Sequence, residues 1–150
     1  SYTVEAVNGS TKTYLVRITH PVLPPLTAAN HDGYVVTTEG SIYDGDKYSP
    51  FDNNLDTVLC YNNTGTVTVT WESGAQAVNR IRVILAKRCN VHVTFRTSPD
   101  TWVEVVPTTP HDPGEFVQTI PQSMDITGVK VTMSQAVYNW RPRVAEFIIE

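Results

Sequence analysis

The sequence is poor in cysteine, in charged residues and in long apolar runs. Two of its 150 residues are cysteine and 17% are charged, which excludes both a disulfide-dense scaffold and a charge-rich disordered chain. No apolar stretch approaches the ~20 residues that cross a bilayer, so we predict no membrane span. The opening SYTVEAVNGS has neither the basic start nor the apolar middle of a signal peptide. We therefore expect a soluble domain cut from a longer protein.

Positive charge is also scarce. The chain carries 11 Lys and Arg against 15 Asp and Glu, a net charge of −4, and this balance argues against binding to a phosphate backbone. We predict that nucleic acid is not a partner. Residues 80–96 nevertheless hold five of the 11 basic residues and no acidic one. Because these cations alternate with apolar residues, we interpret the segment as the solvated face of a sheet rather than as an anion-binding patch.

Alternation of apolar and polar residues dominates what the sequence does contain. In residues 66–71, TVTVTW, two valines and a tryptophan alternate with threonines, so one face of a strand is apolar. No segment has a convincing helical period. The same alternation recurs in four later segments, at residues 80–83, 91–96, 103–105 and 129–133. Short alternating strands at this spacing predict an all-β domain, an antiparallel β-sandwich of the jelly-roll kind.

The first 27 residues differ from the rest. Residues 2–6 and 13–19 are β-prone and flank Asn8-Gly9, the strongest turn signal in the chain, so residues 1–20 are predicted to form a β-hairpin. Prolines at positions 21, 24 and 25 predict an extended connector over residues 21–27. The sandwich would occupy residues 28–150. The hairpin is either the end of a preceding sandwich domain or an addition to this sheet.

The two cysteines leave two alternatives open. Cys60 and Cys89 could form one bridge that closes a loop of about 30 residues. They could equally be free thiols in the core, since both lie in apolar strand contexts. Two N-glycosylation triplets, beginning at Asn8 and at Asn62, permit an extracellular chain but do not require one.

Familiar catalytic patterns are missing. The chain has no phosphate-cradling glycine loop, no paired-histidine zinc helix and no nucleophile elbow. Its histidines, at positions 20, 31, 92 and 111, lack metal-ligand spacing. Most of its acids lie in turns, where an Asp side chain commonly accepts a hydrogen bond from its own backbone. We predict that the chain is not an enzyme.

One loop and one strand carry carboxylates in an informative arrangement. Residues 52–57, DNNLDT, concentrate hard oxygen ligands of the type that Ca²⁺ prefers. Glu146 lies inside the apolar run VAEFII, where a buried carboxylate requires a partner. A structural calcium ion shared with the loop would satisfy it. The alternatives are an ion pair with Arg141 or Arg143, or simple exposure on an edge strand.

Taken in order, four segments resemble the discoidin, or coagulation-factor 5/8 type C, domain, a galactose-binding-domain-like jelly roll that includes many carbohydrate-binding modules. Residues 51–57 are similar to the family's Asp-Gly-Asn-x-x-Thr loop, with Asn53 in place of the glycine. The other three segments are the strands 66–71 with 77–83, the region 91–102 ending in a turn similar to Ser-x-Asp-Gly-x-Trp, and the closing strands 129–133 with 144–148. The resemblance spans residues 28–150 and implies their fold.

The resemblance also implies a structural calcium ion. In the family, the Asp and the Thr of the first loop and the late Glu commonly hold it. Those roles fall here to Asp52, Thr57 and Glu146, with Asn54 offering its backbone carbonyl. Asn53 departs from the family's glycine, but Asn is the next residue best able to adopt a positive φ, so we expect the loop conformation to survive.

We expect a non-catalytic module of a larger extracellular, cell-surface or virion-surface protein that binds a glycan or another cell-surface ligand. A sugar site needs a flat aromatic ring for the pyranose face and amide or guanidinium groups for the hydroxyls. The segment YNWRPR, residues 138–143, offers both. The residues that we assign to the ligand are Asn139, Trp140, Arg141 and Arg143 from this loop, and Tyr43, Tyr48, Arg88 and Asn90 from loops that the resemblance puts near it. Alternatively, Trp140 caps the open end of the barrel.

Two other functions fit the same sequence. The N-terminal hairpin and the Pro-rich connector could exchange strands with a neighbour. The chain would then be a structural or assembly module of a phage tail appendage, a capsid decoration or an extracellular filament, with neighbouring domains or subunits as its partners. It could also be an accessory domain of a secreted glycoside hydrolase, with the chemistry on another domain.

The remaining tryptophans are expected in the core or at its edge. Trp71 continues the inward phase of Val67 and Val69. Trp102 follows a turn and directly precedes Val103, where the family resemblance also puts a packing aromatic. Both side chains should therefore contribute to stability rather than to a ligand site.

Overall fold

The computed structural model describes residues 2–5, 11–14, 23–72, 78–121 and 124–150. Within these ranges the chain is built from β-strands and one short 3₁₀ helix, Ser49–Phe51, which confirms the all-β prediction. None of the described segments is a helix long and apolar enough to cross a membrane. The strands are β1 Tyr2–Glu5, β2 Thr11–Tyr14, β3 Val35–Asp44, β4 Leu59–Thr70, β5 Arg80–Leu85, β6 Cys89–Ser98, β7 Thr101–His111, β8 Gly114–Thr119, β9 Gly128–Gln135 and β10 Arg143–Ile149.

The N-terminal strands form the predicted hairpin pairing. β1 and β2 run antiparallel, with Tyr2 opposite Tyr14 and Glu5 opposite Thr11. Among the described residues they pair with each other and with no strand of the larger sheet. The predicted Asn8-Gly9 turn and residues 15–22, with His20 and the first proline of the connector, lie outside the described residues. The assignment of residues 1–20 to a preceding domain stays a prediction.

The other eight strands form an antiparallel β-sandwich. One layer has the order β3-β4-β9-β6-β7, and the other has the order β10-β5-β8. The layers join where the starts of β10 and β4 pair, with Arg143 opposite Cys60 and Val144 opposite Leu59. β4 is 12 residues long, so its first residues and its last residues lie at opposite ends of the sandwich.

The core follows from the alternation in the sequence. In β6, Val91, Val93 and Phe95 are fully buried, while the residues between them are only half-buried. The same alternation holds in β5, whose inward residues belong to the opposite layer. Trp71, which is 3% exposed, packs in this core as predicted. Side chains of one phase therefore fill the space between the layers, and those of the other phase form the outer faces.

The prediction was wrong for Trp102. In the β6–β7 register Trp102 lies opposite Arg96, and residues opposite each other on paired strands point to the same face. Arg96 is half-buried on the outer face, and so is Trp102. The Lys130 ammonium nitrogen lies 4.4 Å from the centroid of the Trp102 ring, again on the outer face. Trp102 thus covers the outside of the five-stranded layer rather than filling the core.

Both cysteines are free and buried, so the alternative of a disulfide was wrong. Cys60 lies in β4 and Cys89 lies in β6, with β9 between these strands. Two strand spacings amount to roughly 10 Å, which exceeds the ~7 Å between Cα atoms that a bridge tolerates. Burial raises the pKa of the Cys89 thiol to about 11, so it remains protonated near neutral pH.

The described end of the Pro-rich connector contacts the sandwich. Leu23 and Leu26 pack against the core, and the Tyr34 hydroxyl donates to the Pro24 carbonyl at 3.0 Å. Gly33 has a φ of +83°, and the Leu23 side chain lies where a Cβ at that position would be. The boundaries predicted for the connector and the sandwich stay a prediction, but these contacts show that residues 23–26 are held on the sandwich surface.

Candidate functional site

The loop between β9 and β10 lies at the end of the sandwich where β3 ends and β4 begins. Asn139 has a φ of 62°, a left-handed conformation that Asn tolerates better than most residues. The Pro142 carbonyl accepts a hydrogen bond from the Tyr61 backbone N–H at 3.1 Å, which ties the loop to β4. The same end of the sandwich therefore receives side chains from four segments that are distant in the sequence.

Two half-exposed aromatic rings lie in this region, each beside a cation. Tyr43, in β3, is 55% exposed, and Trp140 is 46% exposed. The Arg141 guanidinium carbon lies 3.8 Å from the centroid of the Tyr43 ring. The Lys87 ammonium nitrogen lies 5.7 Å from the centroid of the Trp140 ring. Both distances are within the range of a cation–π interaction.

Two adjacent cavities open beside these rings. The smaller, about 190 Å³, is lined by Lys87, Asn139, Trp140, Arg141 and Arg143. The larger, about 530 Å³, has the size of a typical small-molecule site. It is lined by Asn62, Asn63, Gln135, Asn139 and Arg141. Asn139 and Arg141 line both cavities, so the two are adjacent, and together we call them the amide–cation site.

Hydrogen bonds hold the amides of the larger cavity in place. The Gln135 side-chain amide donates to the Asn62 carbonyl at 3.0 Å and to the Asn63 side-chain oxygen at 3.2 Å. The Asn62 amide donates to the Ser41 hydroxyl at 2.8 Å. The Asn90 amide donates to the Gln135 backbone carbonyl at 3.0 Å. Asn90 therefore holds the end of β9 in place and lines neither of these two cavities.

The structure brings together most, but not all, of the side chains that the sequence analysis assigned to a ligand. The cavities are lined by the four loop residues, Asn139, Trp140, Arg141 and Arg143. The Tyr43 ring stacks on the Arg141 guanidinium. Tyr48 and Arg88 line neither cavity. Tyr48 stacks on His31, with centroids 4.6 Å apart, and packs against the core. Arg88 forms an ion pair with Asp112 at 3.4 Å.

Four residues of the amide–cation site were missed. Asn62, Asn63 and Gln135 line the larger cavity and Lys87 lines the smaller one. The sequence carries only an indirect signal for the first two, the glycosylation triplet that begins at Asn62. Lys87 was read as part of the basic solvated segment. In that segment Arg80 pairs with Glu150, and Arg82 pairs with Glu115 and Glu150, as expected for an exposed sheet face.

The Asp52 loop is a second polar cluster with a different organisation. Asp52 accepts the Asn54 backbone N–H at 2.9 Å through one oxygen. Its other oxygen lies 2.6 Å from the Thr57 hydroxyl, which is also 2.8 Å from the Asn54 carbonyl oxygen. Asn53 has a φ of 56°, so it adopts the positive φ expected of the family's glycine. The loop thus gathers a carboxylate, a hydroxyl and a carbonyl at one point.

Glu146 reaches the same point from β10. Its side chain is 5% exposed, and one carboxylate oxygen accepts the Asn53 backbone N–H at 3.1 Å. Burial raises the pKa of this carboxyl, the Asp52 charge raises it further, and the Asn53 and Asn54 backbone N–H groups partly oppose them. The second oxygen is buried and has no hydrogen-bond partner among the described residues.

Both alternatives to a calcium ion at Glu146 were wrong. Among the described residues Glu146 forms no ion pair with Arg141 or Arg143. It is not on an edge strand, because β10 lies between β4 and β5. No group of three or more His, Cys, Asp or Glu side chains converges in the described part of the chain. The cluster at Glu146 instead combines two carboxylates with a hydroxyl and a carbonyl, and such hard oxygen donors fit Ca²⁺.

A larger cavity, about 640 Å³, lies at the opposite end of the sandwich, beside the end of β4. Its walls are mainly apolar and include Tyr34 and Trp71. Trp71 is too deeply buried to offer its ring to a ligand. Arg96 is already held there, because it donates to the Thr127 hydroxyl at 2.9 Å and to the Trp71 carbonyl at 3.3 Å. This cavity therefore lacks the exposed aromatic ring of the amide–cation site, and an acidic side chain, Glu72, is among its lining residues.

No protein-family model and no curated protein matches the sequence. Solved structures do match the fold. A chitosan-binding module of a chitosanase/glucanase from Paenibacillus sp. IK-5 is 20% identical with a TM-score of 0.65, over 79% of this chain and 95% of that one. The family 32 carbohydrate-binding module of NanJ from C. perfringens, solved with galactose, is 12% identical with a TM-score of 0.58, over 83% and 96%.

A third match is part of a much longer protein. The chain matches 26% of a Ruminococcus gnavus GH29 fucosidase solved with fucose, with 13% identity, a TM-score of 0.63 and coverage of 83% of this chain. At these identities the matches establish the arrangement of strands. The chain has the β-sandwich fold of the carbohydrate-binding modules, and this confirms the galactose-binding-domain-like fold that its sequence resembles.

Proposed function

We propose that the chain is a non-catalytic carbohydrate-binding module of a larger extracellular, cell-surface or virion-surface protein, with its ligand at the amide–cation site. The observation that carries this proposal is the pair of half-exposed rings, Tyr43 and Trp140, beside two cavities lined by amides and guanidinium groups. An apolar ring complements the C–H face of a pyranose, and fixed amides and cations complement its hydroxyls. The fold shared with a chitosan-binding module and with a carbohydrate-binding module solved in complex with galactose supports the same function.

The chemistry of the lining supports binding rather than hydrolysis. Glycoside hydrolysis uses a pair of carboxyl groups on either side of the scissile bond. The side chains that line the two cavities are amides, cations and one indole. Hydrogen bonds also hold Asn62, Asn63 and Gln135 before any ligand arrives, which reduces the entropy lost on binding. We therefore assign these residues to recognition.

A glycan array probed with the parent chain and two tryptophan variants tests this proposal. Trp140→Ala should abolish or strongly weaken binding to every glycan that the parent retains. Trp102→Ala is the matched control, because Trp102 lies on the outer sheet face and lines neither cavity. Unchanged binding by Trp140→Ala would remove the loop from the site. A parent chain that binds no glycan would contradict the function itself.

We further propose a structural Ca²⁺ held by Asp52, Thr57 and Glu146, with the Asn54 backbone carbonyl as a fourth ligand. The unpartnered Glu146 oxygen and the nearby Asp52 carboxylate support it, since two carboxylates brought together repel each other. A bound divalent cation would supply the compensating charge and would tie β10 to the loop. Its role would be structural, because these residues are not among those that line the amide–cation site.

A further inference from the structure

The smaller cavity of the amide–cation site is positively charged. Lys87, Arg141 and Arg143 all line it, together with one amide and one indole, and no acidic side chain is among its lining residues. The larger cavity adds three neutral amides. In a chain with a net charge of −4, three cations at one end of the sandwich are a local reversal of charge. That reversal requires a physical explanation.

Several basic side chains elsewhere in the described structure are neutralised by acids, although Arg96 and Lys130 on the outer face of the five-stranded layer form no ion pair. Arg80 pairs with Glu150, Arg82 pairs with Glu115 and Glu150, and Arg88 pairs with Asp112. None of the three cations of the smaller cavity forms an ion pair with a described residue. The contrast is sharpest at neighbouring positions, because Arg88 is paired and Lys87 is not.

Aromatic rings hold two of these cations without neutralising them. The Arg141 guanidinium stacks 3.8 Å from the centroid of the Tyr43 ring, and the Lys87 ammonium lies 5.7 Å from that of the Trp140 ring. A ring attracts a cation through its quadrupole but leaves its net charge intact. An anion that enters the cavity therefore meets fixed charges and has no acidic partner to displace.

Arg143 completes the arrangement. It begins β10 opposite Cys60 of β4, so its backbone is held by the junction of the two layers. Its side-chain Nε is buried and has no hydrogen-bond acceptor among the described residues. Burying an unpaired donor on a charged group is unfavourable unless an external group compensates the charge. A guanidinium is also the side chain best suited to a planar or multi-oxygen anion, because its donors form a fixed fork.

We propose that the amide–cation site recognises an acidic saccharide, whose anionic substituent is bound in the smaller cavity by Lys87, Arg141 and Arg143. This inference rests on the proposed carbohydrate-binding function and specifies its ligand class. The neutral amides of the larger cavity would take the hydroxyls of the adjoining sugar. A uronic acid carboxylate and a sulfate ester share the required chemistry, a compact anion with several acceptor oxygens on a sugar ring.

Matched pairs of oligosaccharides that differ only in charge test the inference. On a glycan array and then by titration calorimetry, the parent chain is offered trigalacturonate and its methyl ester, and sulfated and unsulfated galactan oligosaccharides. We expect the anionic member of at least one pair to bind about tenfold or more tightly than its neutral partner. We also expect this advantage to shrink as the salt concentration rises, because added ions screen charge–charge attraction. The pair that shows the difference identifies the anion as carboxylate or as sulfate.

Two neighbouring variants distinguish the pocket charge from general surface charge. Lys87→Gln should weaken binding of the anionic oligosaccharide about tenfold and weaken binding of its neutral partner much less. Arg88→Gln removes the same charge one residue away, from a side chain that is paired with Asp112 and lines neither cavity, and should bind like the parent. Equal losses in the two variants would overturn the inference, since the effect would then come from net charge.

The outcomes also separate this inference from the proposed function. A parent chain that binds only neutral glycans, or binds both members of every pair equally, overturns the acidic ligand and leaves carbohydrate binding intact. A parent chain that binds no glycan at any salt concentration removes the proposed function and the inference together. Charge-dependent binding that is lost in Trp140→Ala and weakened in Lys87→Gln supports both.

Discussion

Two loops of this sandwich both turn at an asparagine with a positive φ, but their polar side chains are used differently. The Asp52 loop contains Asn53 at a φ of 56°, and the loop between β9 and β10 contains Asn139 at a φ of 62°. In the first loop the Asp52 carboxylate bonds to the Thr57 hydroxyl and accepts the Asn54 backbone N–H. The Asn53 backbone N–H donates to Glu146. In the second, polar side chains line open cavities. A left-handed Asn makes the tight turn in each case, and the neighbouring side chains decide whether the loop closes on itself or faces a ligand.

The two loops also carry opposite charge. The Asp52 loop faces the buried Glu146 carboxylate of β10, so two carboxylates lie together there. The loop between β9 and β10 carries Arg141, which lines one cavity together with Lys87 and Arg143 from neighbouring segments. Like charges repel in each cluster unless an opposite charge is present. Each cluster therefore favours a partner of opposite charge. We expect a cation to complete the first and an anionic ligand to complete the second.

The largest expected effect concerns the core beneath both loops. Trp71→Ala should destabilise the domain by ~3–5 kcal/mol, because it removes a large buried side chain. Trp140→Ala should change the free energy of unfolding little, since the ring is almost half exposed. Urea unfolding of both variants measures the difference. A large loss of stability in Trp140→Ala would show that this ring closes the end of the barrel. The loop would then be structural rather than open to a ligand.

Calcium should stabilise the domain through the Asp52 loop. At a concentration 100 times its dissociation constant, an ion bound only to the folded state adds about 2.7 kcal/mol, which is a shift of a few degrees in the melting temperature. Glu146→Gln should abolish the shift. Asp112→Asn, which removes a carboxylate far along the chain in an exposed ion pair, should retain it. A melting temperature that chelation leaves unchanged in the parent would contradict the calcium site.

Without calcium, Glu146 should make the parent less stable as the pH rises. Its folded-state pKa is raised, so the folded protein holds this proton more tightly than the unfolded chain. Stability therefore falls as the pH rises from the unfolded value of about 4.3 through the raised folded value. Glu146→Gln should lack this fall. Urea unfolding in chelator across this window measures it, and parallel pH profiles for the two proteins would contradict the assignment.

Glu150 is the internal control for that comparison. Its pKa is lowered by hydrogen bonds from Arg82 and Arg80. It therefore contributes stability above its unfolded pKa, which is lost as the pH falls through the lowered folded value. This slope is opposite in sign to that of Glu146 and is the same in the parent and in Glu146→Gln. The difference between the two profiles isolates Glu146.

The smallest expected effects concern the two left-handed asparagines. Asn53→Ala and Asn139→Ala should each lose about 1 kcal/mol, because a positive φ is costly for a residue with a Cβ and no local polar group. Asn53→Gly and Asn139→Gly should keep the parent's stability within a few tenths of a kcal/mol. Only Asn139→Gly should weaken glycan binding, since the Asn139 side chain lines both cavities. Equal glycan binding by the two glycine variants would contradict the proposed division of roles.

The alternation of Val and Thr in residues 66–71 was sufficient to predict strands and their buried face. Register was not predictable to the same degree. Trp102 is in phase with Glu104 and out of phase with Val103, so the alternation itself puts it on the outer face, where its pairing opposite Arg96 also places it. The core position was suggested by the family resemblance. A shift of one residue exchanges the two faces of a strand, and the pairing partner of β7 depends on contacts across the whole sheet. The local pattern was therefore sufficient to predict this strand and its faces, whereas its pairing partners are known only from the fold.

The candidate site was also predictable only in part from the sequence. The loop of residues 138–143 was identifiable because its ring, amide and guanidinium groups are contiguous in the sequence. Lys87, Asn62 and Gln135 were not identifiable, because their role depends on which strand ends meet at one end of the sandwich. Likewise, the sequence indicated that Glu146 requires a partner, and the fold then brought it to the Asn53 backbone and excluded both arginines.

By itself the sequence determined the period of the strands, the positive-φ turn at Asn53 and the supply of oxygen donors, rings and cations, because these are properties of residues and their near neighbours. The tertiary structure alone decided that Cys60 and Cys89 are separated by β9, that Arg88 is neutralised by Asp112 and that Lys87 is not. The physical reason is that charge compensation and burial depend on distances through space. Those distances are set by strand order, which joins residues tens of positions apart.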